Sequence, residues 1–228
     1  MRNFRNLSIA ALLIILYGCV DSKLEKSVDS AEVVEETTET AVAEASFYND
    51  SIARALKYKE DSIALAKEVE NEITRQKLSK KFRVETDDFS EYDWVYHTSS
   101  PKYTNANGIF LYFQKDKDGH AANMRFRIQY ESDEWLFIDN IIFNIDGELE
   151  TFYPYHMDTD CGYGGRIWEW CDESASANKS LVEKIANAEK VKVKFNGSQY
   201  YDTRSMTSSE LKAFKEAYDY YLACGGGL

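Results

Sequence analysis

Residues 124–130 read MRFRIQY, and this stretch decides the fold: Met124, Phe126, Ile128 and Tyr130 fall on one side of an extended chain, Arg125, Arg127 and Gln129 on the other. Strict alternation of this kind belongs to a strand with one face buried. Working outward, Ile109, Leu111 and Phe113 alternate with Phe110 and Tyr112 in a run apolar on both sides, closed by the polar turn Lys115 to Gly119. On the other side, Trp135 to Ile145 is almost wholly apolar and reads as a central strand. Asp146-Gly147 then supplies the positive φ of a two-residue hairpin turn, so Glu148 to Tyr153 returns as its partner. Arg166 to Cys171 and Val191 to Phe195 add further strands, and Pro101 and Pro154 lie between these runs.

Two helices complete this region. Leu181, Val182 and Ile185 mark a short one. In the last, Thr207 and Glu210 form a capping box, Met206 can staple onto Leu211, and Gly225 to Gly227 stop the helix. Its apolar face is expected to be Leu211, Phe214, Tyr218, Tyr221 and Leu222. Residues 82–228 are thus expected to form one α+β domain, a mostly antiparallel twisted sheet or β-sandwich with a packed C-terminal helix. A long polar helix or stalk is expected over residues 47–81, where helix formers predominate. Its stripe of Ile52, Leu56, Ile63, Ala66 and Ile73 is narrow, because Lys59 and Glu70 interrupt the seam a coiled coil would need. A solvated helix resting one edge on its own domain fits better.

Upstream, residues 19–46 carry Glu32, Glu35, Glu36, Glu39 and Glu44 with no aromatic residue, Gly or Pro, and read as an acidic flexible linker. Asp29-Ser30-Ala31, Asp50-Ser51-Ile52 and Asp61-Ser62-Ile63 each resemble a bacterial three-residue O-glycosylation pattern. At the start, Arg2 and Arg5 precede an apolar core from Leu7 to Leu16, about the length of a secretory h-region and too short to span a bilayer. Leu16-Tyr17-Gly18-Cys19 follows and resembles the lipobox of bacterial lipoproteins, Tyr17 departing from its small-residue preference. That resemblance makes residues 1–18 a signal peptide and implies lipidation of Cys19. It also implies a cell-envelope protein held on a membrane, the outer membrane of a Gram-negative bacterium being the expected place. The segments around Pro101, Arg127 to Tyr130, Trp135 to Phe137 and Asp146-Gly147 are similar to a recurring domain of uncharacterised bacterial envelope proteins, which implies no activity.

The net charge of −12 becomes more negative once Arg2 and Arg5 leave with the signal peptide, which argues against nucleic acid as a partner. With Cys19 lipidated, Cys161, Cys171 and Cys224 remain, and the glycines between the first two make a Cys161 to Cys171 disulfide a candidate in an exported protein. No metal or cofactor is expected: His97, His120 and His156 share no ligand spacing, a zinc site of His156, Cys161 and Cys171 is a minor alternative, and Asp116-Lys117-Asp118-Gly119 lacks the outer ligands of a calcium loop. No nucleophile or nucleotide motif is present, so no catalytic residue is assigned.

The candidate ligand-binding residues are Trp168 and Trp170, which a strand projects to one face, with Tyr163 and Tyr155 near them in sequence. The plainer reading packs both indoles into the core beneath the helix. The function expected is therefore a lipid-anchored binding or structural module whose partner is a glycan or an envelope protein. One alternative is a carbohydrate-active hydrolase using a pair among Asp158, Asp160, Glu169, Asp172 and Glu173. Another is an acidic inhibitor or immunity-type lipoprotein.

Overall fold

The computed structural model describes residues 31–228, with side chains from residue 46 onward. The signal-peptide and lipobox segment, Cys19 included, lies outside the described residues. The elements in order are α1 (Ala31–Leu78), β1 (Phe82–Glu85), β2 (Tyr92–His97), β3 (Gly108–Asp116), β4 (Ala121–Ser132), β5 (Ile138–Ile145), β6 (Glu148–Phe152), β7 (Asp158–Cys161), β8 (Ile167–Ser174), α2 (Lys179–Asn187), β9 (Val191–Gly197), β10 (Tyr201–Ser205) and α3 (Ser208–Ala223). The described residues divide into two units, residues 31–57 and 58–228.

Helix α1 begins inside the stretch expected as a linker. Glu and Ala favour helix, and nothing there breaks one, so charge alone does not keep the segment extended. Ile52, Leu56, Ile63 and Ile73 are exposed. Within the second unit only the last turns of α1 meet the domain: Asn71, Thr74 and Arg75 are half-buried and Leu78 joins the core. Among the described residues, no helix is long and apolar enough to cross a membrane.

The fold is α+β. Six strands form one antiparallel sheet in the order β1-β2-β3-β4-β8-β7, and four form a second in the order β10-β9-β5-β6. The alternating residues of β4 behave as their pattern predicts, Met124, Phe126, Ile128 and Tyr130 all being buried on the inner face. The second sheet packs there: Phe126 meets Phe143 and Phe152 of β5 and β6, and Tyr130 meets Phe195 of β9. Helix α3 covers the rest of that face, placing Phe214 edge-on to Phe126, and Tyr220 and Tyr221 against Phe113 of β3.

The β5–β6 hairpin turns at Asp146 and Gly147, with φ of 51° and 104°, as the two-residue turn requires. Gly197, at the end of β9, is fixed by close approach: a Cβ there would stand 1.9 Å from the Leu136 carbonyl oxygen. Helix α3 opens on the expected capping box, with Thr207 and Glu210 bonded both ways. It closes in a Schellman motif, Gly226 N–H donating to the Tyr221 carbonyl and Gly225 N–H to that of Leu222. Its buried face is Ala213, Phe214, Ala217, Tyr220 and Tyr221. Leu222, expected in that face, is 38% exposed, and Tyr220 takes its place. The two alanines let the helix approach the sheet, which turns Leu222 outward.

Candidate functional site

The outer face of the six-stranded sheet carries the site. Strand register brings its outward residues into rows. Arg83, Tyr96, Tyr112 and Arg125 lie side by side across β1 to β4. In the next row Phe110, Arg127 and Asp172 adjoin, and beyond it Gln129, Trp170 and Asp158. The last row is Glu131, Trp168 and Asp160. No second layer of secondary structure covers this face among the described residues. Aromatic and guanidinium groups there are held by each other instead: Tyr96 stacks on Tyr112 at 4.6 Å with rings 12° apart, and the Arg83 guanidinium sits 4.8 Å from the Tyr96 ring centre.

Asp172 ties the middle of the face together. Its carboxylate accepts from the Tyr112 hydroxyl at 2.5 Å, from Arg125 Nε at 2.9 Å and from Arg127 Nη1 at 3.0 Å. Burial, reinforced by the Asp172 acceptor, pushes the Tyr112 phenol far above its ordinary range, so it stays a hydrogen-bond donor. Burial, with the charge of Glu85, likewise pushes Tyr96 up to about 12. Arg127 Nε donates in turn to Gln129 Oε1, whose amide nitrogen donates to the carbonyls of Tyr103 and Ala106 at 3.0 and 2.9 Å. From the sheet edge, Arg83 donates to the carbonyls of His97 and Ser100. Two outward side chains thus clamp the loop of residues 98–107 over one end of the face. This cover shields Phe110, while Trp94, Tyr96 and Asp172 pack around Tyr112, so both are buried although they point away from the core. Under the loop lies a cleft of about 260 Å³ lined by Arg83, Tyr96, Tyr103, Phe110, Arg127 and Gln129.

Trp168 and Trp170 project to this outer face and not to the core beneath the helix; both are half-buried. The β7–β8 turn rests on Trp168, a Cβ at Gly162 falling 2.9 Å from the ring. Tyr163 at that turn and Tyr155 are fully exposed, but they are not neighbours. Tyr155 is tied by its backbone N–H to Glu173 near the end of β8, whereas Tyr163 follows Gly162 at the turn that rests on Trp168.

The candidate disulfide is not formed. Among the described residues Cys161, Cys171 and Cys224 are unbridged, with Cys161 exposed and Cys171 buried. The cause is register: Cys161 pairs with Ile167, and Cys171 lies four residues further along β8, about 13 Å away at strand rise. The glycines between them make a turn of a hairpin and do not fold the strand back on itself. His156 is exposed and pairs with Asp158 on the outer face, whereas Cys171 is buried on the inner one, so the three-residue zinc set is not assembled either.

The carboxylates proposed for hydrolysis are split by the same alternation. Asp172 points outward to the arginines; Glu169 points inward, is fully buried, and accepts the backbone N–H groups of Leu136, Phe137 and Ile138 at 2.8 to 3.0 Å. Glu173 receives Tyr155 and Asn178. Asp158 and Asp160 share the outer face with the tryptophans, opposite Trp170 and Trp168 in register, but both are exposed. Elsewhere, ligand atoms of Asp116, Asp118 and His120 lie within 4.8 Å of one another and are the group best placed to hold a cation. Asp116 already accepts the His120 backbone N–H at 2.8 Å, which accounts for the cluster as the closure of the β3–β4 turn.

The sequence marked Arg125, Arg127 and Gln129 only as the polar side of a strand. Tyr96, Tyr112 and Asp172 were not singled out with them, because their meeting depends on the order β2-β3-β4-β8. The available signal was the aromatic character of both sides of Ile109 to Phe113. No known protein family matches the chain, and neither does any curated protein.

Proposed function

We propose that the chain is a lipid-anchored binding module of the cell envelope, and that the outer face of its six-stranded sheet takes a glycan. The observation that supports this most is a sheet face left without a second layer, on which aromatic rings and hydrogen-bonding side chains are fixed before any ligand arrives. Flat aromatic surface stacks on the apolar faces of sugar rings, while the partly exposed Arg127 and Asp172 offer the donors and acceptors that hydroxyl groups need. Because these groups are already immobilised by one another, binding sacrifices little further side-chain entropy. The lipobox resemblance supplies the place and the kind of polymer at hand. On this face Asp172 is already engaged by Tyr112, Arg125 and Arg127, and Asp158 and Asp160 are exposed, which favours binding over hydrolysis.

Affinity electrophoresis through gels containing soluble envelope and capsular polysaccharides tests the reading. Retardation by at least one polymer is expected, and Trp168→Ala with Trp170→Ala should abolish it while the circular dichroism spectrum is kept. Absence of retardation by every polymer, or equal retardation of the double variant, would remove the proposal.

A further inference from the structure

Charge is unevenly spread over the outer sheet face, and its positive end lies at the cleft of about 260 Å³ beneath the loop of residues 98–107. Arg83, Lys102 and Arg127 line that cleft with Glu85 as its one carboxylate, and Arg125 and Asp172 adjoin Arg127. Four cations against two carboxylates leave a local charge of +2, whereas the chain as a whole carries −12. Toward the β7 edge of the same face the sign reverses. Asp158 and Asp160 are exposed there opposite Trp170 and Trp168, and Arg166 is taken up by Glu131 and Asp133.

The positive end holds charged donors that reach solvent. Arg127 uses Nε on Gln129 and Nη1 on Asp172, and its side chain is 22% exposed. Its Nη2 has no hydrogen-bond partner among the described residues and does not belong to the buried atoms left without one, so it meets the solvent of the cleft that Arg127 lines. Lys102 is exposed, its ammonium 5.8 Å from the Tyr103 ring centre and in no ion pair among the described residues. Arg83, by contrast, is bound to Glu85 and to the carbonyls of His97 and Ser100, and contributes charge alone. The nearest carboxylate to Arg127, that of Asp172, is in contact with two guanidinium groups, which offset its repulsion of an incoming anion. A guanidinium with free N–H bonds beside an unpaired ammonium is the set of donors that carboxylate and phosphate-ester oxygens take.

We propose that the glycan taken by this face is an acidic one, with a carboxylate or phosphate ester on the sugar unit seated in the cleft, held by Arg127 and Lys102. The inference rests on the glycan reading above and names the class of glycan. A volume of about 260 Å³ lies below the usual range of ligand sites and suits one sugar ring. Gln129, at the edge of the cleft, pairs in register with Trp170, so the next unit passes onto the indoles, where Asp158 and Asp160 disfavour a second negative charge. The glycan that matches both ends carries acidic units separated by neutral ones.

The test is affinity electrophoresis of the full-length chain in detergent micelles through the same polysaccharides, each in native, carboxyl-reduced and dephosphorylated form, with hyaluronan and polygalacturonate as alternating and uniformly charged references. Removing the acidic group is expected to weaken retardation by about fivefold, and the treatment that does so identifies the group. Added salt should weaken retardation by the native acidic polymer and leave that by a neutral one unchanged. Lys102→Glu, at an exposed side chain outside the core, should weaken the native polymer by about fivefold, and Glu85→Gln should strengthen it by about twofold. Equal retardation by native and neutralised forms, or Lys102→Glu without effect, would overturn the acidic unit and leave the glycan reading standing. Tighter binding of polygalacturonate than of hyaluronan would overturn the spacing of the charges. Absence of retardation by every polymer would remove both readings together.

Discussion

Glu169 shows how far a single residue departs from its sequence reading. Alternation along β8 put it on the inward side with Ile167 and Cys171, yet its acidic neighbours made it a candidate for surface chemistry. Its partners are the N–H groups of residues 136–138, and no local pattern marks a nest so far away in sequence. That nest needs Phe137 at φ 52°, a left-handed conformation unusual for a bulky residue. Glu169→Ala is expected to destabilise the domain by about 3–5 kcal/mol, since three backbone donors, two of them buried, lose their acceptor. Glu169→Gln, which retains one acceptor oxygen, should cost less, and urea melts of both variants check the order.

His97 gives a pH dependence. Its Nδ1 faces Ser99 Oγ at 2.7 Å and its Nε2 faces Glu216 at 3.1 Å, while Lys81 also holds Glu216. Burial holds the imidazole below its ordinary value in spite of Glu216. For Glu216 burial acts to raise the carboxyl, but Lys81 and His97 outweigh it and leave it lowered. A histidine lowered on folding contributes stability that is complete above its unfolded value of about 6.5 and is lost as pH falls toward the folded one. Glu216 adds a second loss that begins below its unfolded value of about 4.3. The urea midpoint should therefore fall between pH 7.5 and 5.5, and His97→Gln should flatten that fall.

At the scale of elements, legibility followed burial. Strands β4, β5 and β9 were readable because both neighbours cover them and their inward residues are apolar; β8 was readable although Glu169 interrupts its inward side, and β2, flanked by β1 and β3, was not read. Three edge strands, β1, β7 and β10, were not: FRVE, DTDC and YDTRS are short and polar, which protects an edge from pairing with another chain but erases the period. The fourth edge, β6, was legible only through the Asp146-Gly147 turn. Helix α3 was the best specified, since capping signals are local, but its rotation was not, because alanines carry little weight in an apolar pattern and decide which side can approach the sheet. Phe214→Ala is expected to cost about 3–5 kcal/mol, given its contact with Phe126 in the shared core. Lys215→Ala, on the exposed side, should change stability by no more than about 0.5 kcal/mol in the same urea melts.

For the whole molecule, the sequence supplied the α+β class and an expected address but not the pairing of strands into two sheets. That pairing is what puts Tyr112, Arg127, Asp172 and Trp170 on one surface, so the binding face was only partly visible in advance. Address and face are separable physically. An acyl chain on Cys19 would hold the protein to a membrane with about 0.8 kcal/mol per buried methylene, so two or three chains anchor it stably without help from the folded domain. The outer sheet face is built wholly from residues 83–174 and takes nothing from the N-terminal segment. Cys19→Ser is therefore expected to abolish incorporation of an alkyne fatty acid in cells and to release the chain from the membrane pellet. Its retardation by polysaccharide and its urea midpoint should stay unchanged. Equal labelling of the variant would end the lipoprotein reading, whereas loss of retardation together with the label would mean that the anchor contributes to binding and that the face described above is not sufficient by itself.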